Sequence, residues 1–479
     1  MSKPFSRYQA IVDDYPAFCD FLHAPLPTAL WTNPERVEAS ELCDMLRGAG
    51  FSPEPVGWHP RAYLLPAEER AGKRWEFFCG LYQIQEEAAM LPVLLLDAQP
   101  GETVMDMCAA PGNKTAQLAF AMRNRGTIVA NDLNRKRLPA LRQTCERLGV
   151  RNVSITNLNA GNIPSNAARF DRILVDAPCS CEGTTRKNPG QPMESEVHFT
   201  ERQRRAQVAL LRKACQLCRV GGRIVYSTCT YAPEENEAVV NQVLQAYGPD
   251  SLRLMKPQVP GILNYSPGIC QWDGENYDPS LRRCVRLWPH QNDTGGFFAA
   301  VLEKCGAVSA KNDDFAAENN YPAANGAAAP PYALNSILEQ FAVNAKFIND
   351  LVPIRGRGNQ LFLVASDHHL PAYFTNTDMG LRAVRTDSET PKPTHPGVLF
   401  LGANANKNVI QLSEDRILAF MGRTAIDLEP AELIECEGPG LVMVRCGKFA
   451  CGLGRLCTAS DGHHYLVSNY PRRWAARIF

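Results

Sequence analysis

The chain has 479 residues, 45% hydrophobic and 21% charged, a length that favours two to four domains with a sizeable core. Its 50 basic residues balance 50 acidic ones, which excludes a protein that is strongly basic throughout but leaves local basic surfaces open. No stretch reaches the ~18 apolar residues of a membrane span, and no signal-peptide pattern opens the chain.

Residues 1–90 combine Pro-rich turns with short amphipathic stretches and predict a small α+β domain with a helix from Ser40 to Leu46. From residue 91 to residue 306, apolar strands alternate with helices, which predicts a Rossmann-like α/β domain with a parallel sheet covered on both faces. Helices are predicted near Lys114, at Asn134–Leu148, and at about 200–220 and 234–247. The predicted strands are Thr103–Met107, Gly126–Asn131, Val153–Thr156, Arg172–Asp176, Arg223–Ser227 and Gly295–Leu302.

The rest of the chain has a different pattern. Residues 307–333, rich in Ala and Asn, predict a linker. Residues 334–479 begin with a helical pattern at Asn335–Leu351 and then predict a β-rich domain of short strands separated by turn residues. These predicted strands are Gln360–Val364, Gly397–Gly402, Leu441–Cys446, Ala450–Leu456 and Tyr465–Val467.

The 17 cysteines, an odd number scattered along the chain, favour a reducing compartment, and we expect a soluble, cytoplasmic protein. Cys215 and Cys218 form a lone C-x-x-C inside a helical pattern. A C-terminal group of cysteines lacks the spacing of a zinc ribbon: Cys436, Cys446, Cys451 and Cys457. No bound metal is therefore expected.

The loop after the first strand of the α/β domain, Asp106–Thr115, contains small residues and leads into a helix. Ligands of open α/β sheets bind beyond the carboxyl ends of the strands, where small residues admit a cofactor and a helix N-terminus favours a carboxylate. A tight connection without a ligand is the alternative. Asp132 ends the second strand, where its carboxylate suits two ribose hydroxyls or, as the simpler alternative, a helix N-cap.

Two cysteines follow strand ends at the same predicted edge of the sheet. Cys179 closes the motif that begins at Asp176 after the fourth strand, and Cys229 follows Ser227 after the fifth. Single cysteines are usually buried and inert. Two cysteines and a carboxylate beside a cofactor loop instead favour covalent chemistry.

With Glu182–Pro189, Glu234–Glu237 and Asp293–Phe298, these motifs have the order and spacing of a known family. The chain resembles the RNA 5-methylcytosine methyltransferases of the nucleolar-protein/Sun type, and within them the bacterial small-subunit ribosomal RNA methyltransferase F group. The resemblance implies an S-adenosylmethionine-dependent enzyme that methylates carbon 5 of a cytosine in structured RNA.

The resemblance also implies residue roles. Cys229 would add to carbon 6 of the cytosine, Cys179 would aid product release, and Asp176 would lie between cofactor and base. Lys114 would reach toward the active site, Asp132 would hold the ribose, and Asn159 would contact the adenine. The cofactor loop would comprise Cys108, Ala109, Ala110, Pro111, Gly112, Asn113 and Lys114.

Three positions depart from the family pattern. Asn159 stands where the family usually has Asp, and an amide carbonyl still accepts the hydrogen bond from an adenine amino group. Cys181 stands where the family usually has Gly. Trp31 falls in the N-terminal segment where the family has an Arg before a Val-Asn pair; ordinary core packing is favoured for Trp31 over stacking on a base.

The likeness points to 16S ribosomal RNA in the small subunit as the partner and to action as a monomer. Transfer RNA is the alternative substrate, a ribosome-assembly RNA-binding factor is the alternative function, and DNA methylation is a third option. The C-terminal domain resembles the PUA type of RNA-binding barrel. Arg455, Arg472 and Arg473 are its candidate phosphate contacts, with a solvated tail as the alternative.

Overall fold

The computed structural model describes residues 5–187, 197–308, 331–356, 358–374, 378–387 and 390–478. Its N-terminal part is a four-stranded antiparallel sheet in the order β2-β3-β1-β4, packed with short helices. The elements are α1 (Tyr15–Phe21), β1 (Thr28–Thr32), α2 (Ala39–Gly48), β2 (Glu54–Pro55), β3 (Ala62–Leu65), α3 (Trp75–Phe78) and β4 (Tyr82–Ile84).

Trp31 lies in the core of the structure. Its side chain is 3% exposed, its indole N–H donates to Gln85 Oε1 at 2.9 Å, and its ring meets the edge of Phe120. Because the ring is covered by protein, the alternative of a base-stacking Trp31 is wrong.

The central part contains five parallel strands in the order β9-β8-β5-β6-β7, and antiparallel β15 lies beside β9. Its middle strands are buried on both faces, as parallel strands covered by helices require. The strands are β5 (Thr103–Asp106), β6 (Thr127–Asn131), β7 (Val153–Thr156), β8 (Phe170–Asp176), β9 (Cys218–Thr228), β10 (Leu252–Leu254), β11 (Ser266–Pro267), β12 (Gln271–Trp272), β13 (Glu275–Asn276), β14 (Val285–Leu287) and β15 (Phe297–Lys304). The helices are α4 (Leu91–Leu96), α5 (Asn113–Ala121), α6 (Leu138–Leu148), α7 (Val197–Leu217), α8 (Glu237–Tyr247) and α9 (Pro289–Asn292).

All six strands predicted for the α/β domain are present, with ends shifted by a few residues. The helix predicted from Asn134 begins later. A 3-10 turn covers Arg135–Arg137, and the α-helix starts at Leu138 with Pro139 in its first turn. Proline lacks a backbone N–H and has a preset φ, which suits that position.

The C-terminal part contains two sheets, in the orders β16-β17-β19-β20 and β21-β23-β24-β25-β22, while β18 pairs with β7 at the edge of the central sheet. The strands are β16 (Leu351–Gly356), β17 (Gln360–Ala365), β18 (Asp378–Met379), β19 (Leu381–Arg385), β20 (Lys392–Pro393), β21 (Val409–Gln411), β22 (Ile426–Asp427), β23 (Gly440–Cys446), β24 (Phe449–Thr458) and β25 (His464–Ser468). The helices are α10 (Pro331–Gln340), α11 (His395–Leu401), α12 (Glu414–Met421) and α13 (Arg472–Ile478). Most of the predicted linker lies outside the described residues.

Two C-terminal predictions are wrong. Gly397–Gly402, predicted as a strand, belongs to α11, whose N-cap Thr394 accepts a hydrogen bond from the Gly397 N–H and whose first turn holds a proline. A short apolar run fits a buried helix as well as a strand, and the cap decides between them. The helix predicted at Asn335–Leu351 instead spans Pro331–Gln340, because the chain turns at Ala342, which has φ 45°, before β16.

The N-terminal and C-terminal sheets share one hydrophobic cluster. Leu30 and Trp75 from the N-terminal part pack in it with Phe420 and Tyr470 from the C-terminal part. The Trp75 and Phe449 ring centroids lie 6.1 Å apart across this contact. In the described part of the chain, no helix is both long and apolar enough to cross a membrane.

Candidate active site

A cavity of about 450 Å³ lies beyond the carboxyl ends of β5, β8 and β9. Parallel strands place these ends at one edge of the sheet, so loops that are distant in sequence meet there. The structure brings together six of the residues singled out from the sequence, which line this cavity: Cys108, Ala110, Lys114, Asp176, Cys179 and Cys229.

The loop between β5 and α5 is shaped for a ligand. Gly112 has φ 105°, a conformation that favours glycine, and a Cβ there would lie 3.0 Å from Leu141 Cδ1. No side chain caps the N-terminus of α5, so the first-turn amides of Asn113, Lys114 and Thr115 face outward unpaired within the helix. This terminus fits the carboxylate of an amino-acid-bearing cofactor such as S-adenosylmethionine.

Asp132 and Asn159 border the same edge. Asp132 is 3% exposed, and its carboxylate accepts hydrogen bonds from the backbone N–H groups of Ala110 and Asn134. Oδ2 is also ion-paired with Arg137 at 3.5 Å, while Oδ1 keeps a lone pair that a ribose hydroxyl can use. Asn159 is exposed after β7 and caps a 3-10 turn by accepting from the Gly161 N–H at 3.2 Å.

Asn131, to which the sequence analysis assigned no role, is buried and forms the hydrogen bonds that hold this edge of the sheet together. Its amide N–H groups donate to the carbonyls of Met107 and Leu158, both at 3.1 Å, and its Oδ1 accepts from Thr156 Oγ1 at 2.9 Å. It therefore ties β6 to the cofactor loop and to the end of β7. The sequence did contain a signal for this role, because Asn131 is an amide at the end of a predicted buried strand and lies beside the acidic Asp132.

Asp176 is fixed from two sides. Lys114 Nζ donates to Asp176 Oδ2 at 2.8 Å, and Ser227 Oγ donates to Oδ1 at 2.9 Å. Burial acts to lower the pKa of Lys114, but the Asp176 carboxylate outweighs it and the pKa is raised. Lys114 therefore stays protonated at neutral pH, and the carboxylate points into the cavity with a fixed orientation.

Three thiols meet at the cavity wall. Cys179 Sγ lies 3.5 Å from Cys229 Sγ and 3.9 Å from Cys181 Sγ. The hydrogen bonds from Cys179 and Cys229 lower the pKa of Cys181. The same contacts, mainly through Cys181, raise the pKa of Cys179.

The pKa of Cys229 is also raised. The hydrogen bond from Cys179 lowers it, but the hydrogen bond with Cys181, burial, and the negative charges of Cys181 and Asp176 outweigh that effect. Cys181, whose pKa is the one lowered, is the most exposed of the three and lies near Arg137.

The backbone conformation at Cys181 accounts for the glycine that the family usually has at this position. Its φ is 60°, in the left-handed region where glycine is favoured. This chain places a side chain at a turn that the family usually leaves to glycine, and the added thiol points at the two predicted catalytic cysteines.

The loop that carries Cys179 is held by Glu235. Its Oε2 accepts from the Ser180 N–H at 3.1 Å and from Gln207 Nε2 at 2.8 Å, while Gln207 also donates to the Pro178 carbonyl. Burial raises the pKa of Glu235 to about 7. The sequence marked Glu234–Glu237 only as a family motif; in the structure, Glu235 positions the thiol loop.

Asn236 and Glu237, from the same motif, form hydrogen bonds with the neighbouring elements. Glu237 is fully buried and binds Arg286 through two hydrogen bonds, one of them 2.7 Å long. The Asn236 amide accepts from Thr228 Oγ1 and donates to the Thr230 carbonyl. The backbone on both sides of Cys229 is thereby fixed against α8 and β14.

The segments Glu182–Pro189 and Asp293–Phe298 pack on each other behind the cavity. Arg186 donates to Asp293 and to the Thr294 carbonyl, and a Cβ at Gly183 would lie 2.4 Å from the Gly296 carbonyl oxygen. These glycines allow a close backbone contact that places Phe297 at the cavity wall. Asn188 and Pro189 lie outside the described residues.

Comparisons with known proteins converge on one family. Residues 93–303 match the family model described as 16S rRNA methyltransferase RsmB/F, and residues 4–87 match the N-terminal domain of 16S rRNA methyltransferase RsmF. A tRNA (cytosine(49)-C(5))-methyltransferase of Pyrococcus abyssi is 34% identical over 304 residues, which cover 63% of this chain and 96% of that protein.

Two further matches extend the comparison. Ribosomal RNA small subunit methyltransferase F of Vibrio vulnificus is 28% identical over 460 residues, 93% of this chain and 90% of that protein. The crystal structure of a methyltransferase homolog protein from Pyrococcus horikoshii superposes with a TM-score of 0.54 and 32% identity, over 60% of this chain and 90% of that one.

Proposed function

Because this chain belongs to the S-adenosylmethionine-dependent RNA cytosine-C5 methyltransferases of the RsmB/F family, we propose that it methylates a cytosine of 16S ribosomal RNA, with Cys229 as the covalent nucleophile. The observation that carries the two-cysteine mechanism is the pair of thiols 3.5 Å apart in one cavity with Asp176 and Lys114. The family motif assigns the attack to Cys229 and the release to Cys179. One thiol serves to attack the base and the other to help release it.

Cys229, Asp176 and Cys179 would each take one part in the methylation of cytosine. Carbon 5 of cytosine is a weak nucleophile, and addition of Cys229 Sγ to carbon 6 makes the ring electron-rich at carbon 5. That addition places negative charge on the N3 side of the ring, which a proton donated to N3 neutralises. Asp176 would carry that proton, with the protonated Lys114 beside it as the source. After carbon 5 has gained its methyl group, a base takes the carbon-5 proton as the bond from carbon 6 to Cys229 Sγ breaks. The adjacent Cys179, as a thiolate, would be that base and so assist the release.

S-adenosylmethionine supplies an electrophilic methyl group when bound. The loop from Cys108 to Lys114 and the open N-terminus of α5 are placed to hold its amino-acid end. Asp132 is placed for the ribose, and Asn159 for the adenine. These assignments depend on the position of each group at the strand ends.

Ribosomal RNA is favoured over transfer RNA by the N-terminal region. Residues 4–87 match a domain described for the 16S enzyme RsmF, and the Vibrio protein named as a small-subunit rRNA methyltransferase aligns along nearly the whole chain. Such a substrate is compatible with a cytoplasmic monomer, and we include both features in the proposal.

A basic surface provides a place for the RNA backbone. Lys136, Arg142, Arg382, Arg472 and Arg473 line one cavity between α6 and α13. Arg137, next to Lys136, lines the catalytic cavity. Arg142 and Arg382 are paired with Asp378 and Glu146. Lys136, Arg472 and Arg473 are therefore the charges that make a basic path between α6 and α13, and phosphates are the groups that such a path attracts.

Covalent trapping tests the proposal. The protein is incubated with S-adenosylmethionine and small ribosomal subunits, naked 16S rRNA or transfer RNA, each containing 5-fluorocytosine, which blocks the last proton loss. We expect an RNA adduct with the wild type and with Cys179→Ala, and none with Cys229→Ala.

Sequencing the trapped RNA identifies the target. Trapping of transfer RNA alone would replace the ribosomal substrate. An adduct lost in Cys179→Ala but kept in Cys229→Ala would indicate the DNA-type mechanism. No adduct with any of the three RNAs would favour an RNA-binding assembly factor.

A further inference from the structure

Four cysteines line the catalytic cavity, and the thiols of three of them converge, one more than the reaction uses. The Sγ atoms of Cys179, Cys181 and Cys229 all lie within 4.8 Å of one another, and two of the separations are 3.5 and 3.9 Å. Among the described residues, this is the group of three or more Cys, His, Asp or Glu side chains whose ligand atoms converge closely enough to hold one metal ion.

The spacing of these sulfur atoms matches a thiolate metal site. Zinc binds thiolates at about 2.3 Å in a tetrahedral arrangement, which puts two sulfur atoms of one ion about 3.8 Å apart. We propose that Cys179, Cys181 and Cys229 bind one Zn²⁺ ion, and that this ion switches the enzyme off by occupying its nucleophile.

The surroundings suit such an ion. The thiols line a cavity of about 450 Å³, which leaves the fourth coordination position open to water or to a group of the RNA. Three thiolates and Zn²⁺ together carry one negative charge. Lys114, Arg137 and Lys187 line the same cavity, with Lys114 paired to Asp176 and Arg137 to Asp132. Lys187 is therefore the lining cation that is placed to offset that charge.

Cys181 is the residue that completes the site. Without it only two of the converging thiols remain, Cys179 and Cys229, which is fewer than a stable protein-held zinc site requires. The backbone at Cys181 has φ 60°, so Cys181→Gly removes the thiol and leaves a residue that is at ease in that conformation. The substitution therefore removes the third ligand and leaves the two catalytic cysteines in place.

Inhibition follows from the ligand set. A Cys229 thiolate bound to Zn²⁺ has its lone pair in the metal bond and is unavailable to carbon 6 of a cytosine. Removal of the ion frees it again. This consequence depends on the proposed function, whereas metal binding does not.

Metal binding is measured first, on the full-length protein freed of metal with a chelator and kept reduced with a phosphine. Zn²⁺ affinity is obtained by competition with a chromophoric chelator, and Cd²⁺ is added to read the thiolate-to-metal absorption band. We expect one ion per wild-type chain, and at least about 100-fold weaker binding in Cys181→Gly and Cys181→Ser. Cys457→Ser, a half-buried cysteine of β24, is the matched control and should bind like the wild type.

Alkylation of Cys229 provides a readout that needs no RNA. Saturating Zn²⁺ should protect Cys229 from iodoacetamide in the wild type but not in Cys181→Gly, as measured by mass spectrometry of the tryptic peptides. RNA methylation by the wild type should fall with Zn²⁺ and return with chelator, and Cys181→Gly should need about 100-fold more Zn²⁺ for the same loss.

The outcomes are separable. Equal Zn²⁺ affinity in the wild type and Cys181→Gly would overturn the metal site, and so would alkylation of Cys229 at full zinc occupancy. Cys181-dependent binding and protection in a protein that methylates no RNA would keep the metal site and reject the proposed function.

Discussion

At the scale of single residues, Cys181 sets the charge of the cluster around the nucleophile. Its own pKa is lowered, and its hydrogen bond, burial and a negative charge at Cys181 raise the pKa of Cys229. The titratable groups that face Cys229 are Cys179, Cys181, Asp176 and, through Asp176, Lys114. A nucleophilic thiolate at Cys229 must form beside an existing negative charge, so its population grows only at higher pH.

Cys181→Gly should therefore shift the ascending limb of the methylation rate against pH to lower pH, because it removes the neighbouring charge that raises the pKa of Cys229. The rate of single-turnover methyl transfer, measured between pH 6 and 10 in the presence of a metal chelator, gives the midpoint of this ascending limb. Cys181→Ser, which keeps a hydroxyl but no thiolate, should shift in the same direction. An unchanged limb in both variants, or a shift to higher pH, would contradict this electrostatic explanation.

At the scale of elements, the active site depends on loops that are fixed by buried carboxylates. Glu235 joins the Cys179 loop to α7 through Ser180 and Gln207, and Glu237 joins α8 to β14 through Arg286. Both carboxylates belong to one short turn after β9. The contacts of this segment therefore fix the two thiols relative to the edge of the sheet.

Glu235→Ala should lower the rate of adduct formation by about 10- to 100-fold, since a loop displaced by an ångström misplaces the thiols. Glu235→Gln, which still accepts from the Ser180 N–H, should retain most of the rate. The measurement is the initial rate of covalent trapping, with circular dichroism to verify the fold and Glu275→Ala as an exposed control. Equal losses in Ala and Gln variants would show that charge at Glu235, rather than loop position, matters.

At the scale of the whole molecule, the first and last parts of the chain form one packed unit. Trp75 contacts Phe449, and the cluster around them joins both sheets. β18 adds a C-terminal strand to the edge of the catalytic sheet. The three regions are therefore expected to unfold together.

Trp75→Ala should destabilise the protein by about 3–5 kcal/mol, because it opens a cavity in this shared cluster. Hydrogen exchange should become faster in β24 as well as in β1. Urea unfolding and exchange by mass spectrometry measure the two effects, with exposed Tyr265→Ala as the control. Faster exchange confined to the N-terminal sheet would mean that the two sheets are stable independently.

The basic path belongs to the same scale, since it crosses from α6 to α13. Replacing Arg472 and Arg473 together by Ala should weaken binding of any RNA sequence and reduce the slope of log K against log salt by about 1–2. Binding titrations between low and physiological salt measure this slope, and Arg253→Ala on β10 is the control. Loss of affinity with an unchanged slope would argue against phosphate contacts there.

The sequence by itself determined the α/β class, the six central strands and the family. Period, strand-end motifs and residue type are local properties, and the strand ends of a parallel sheet necessarily share an edge. It also predicted Cys229, Cys179, Asp176 and Lys114, which the structure places around one cavity.

Only the tertiary structure decided the rest, because contacts between distant residues leave no local pattern. It made Trp31 a core residue and gave Asn131 and Glu235 their positioning roles. It also joined the N-terminal and C-terminal sheets through one core. Above all, it brought the Cys181 thiol to Cys179 and Cys229, since a positive φ and the packing of three loops set the direction of that side chain.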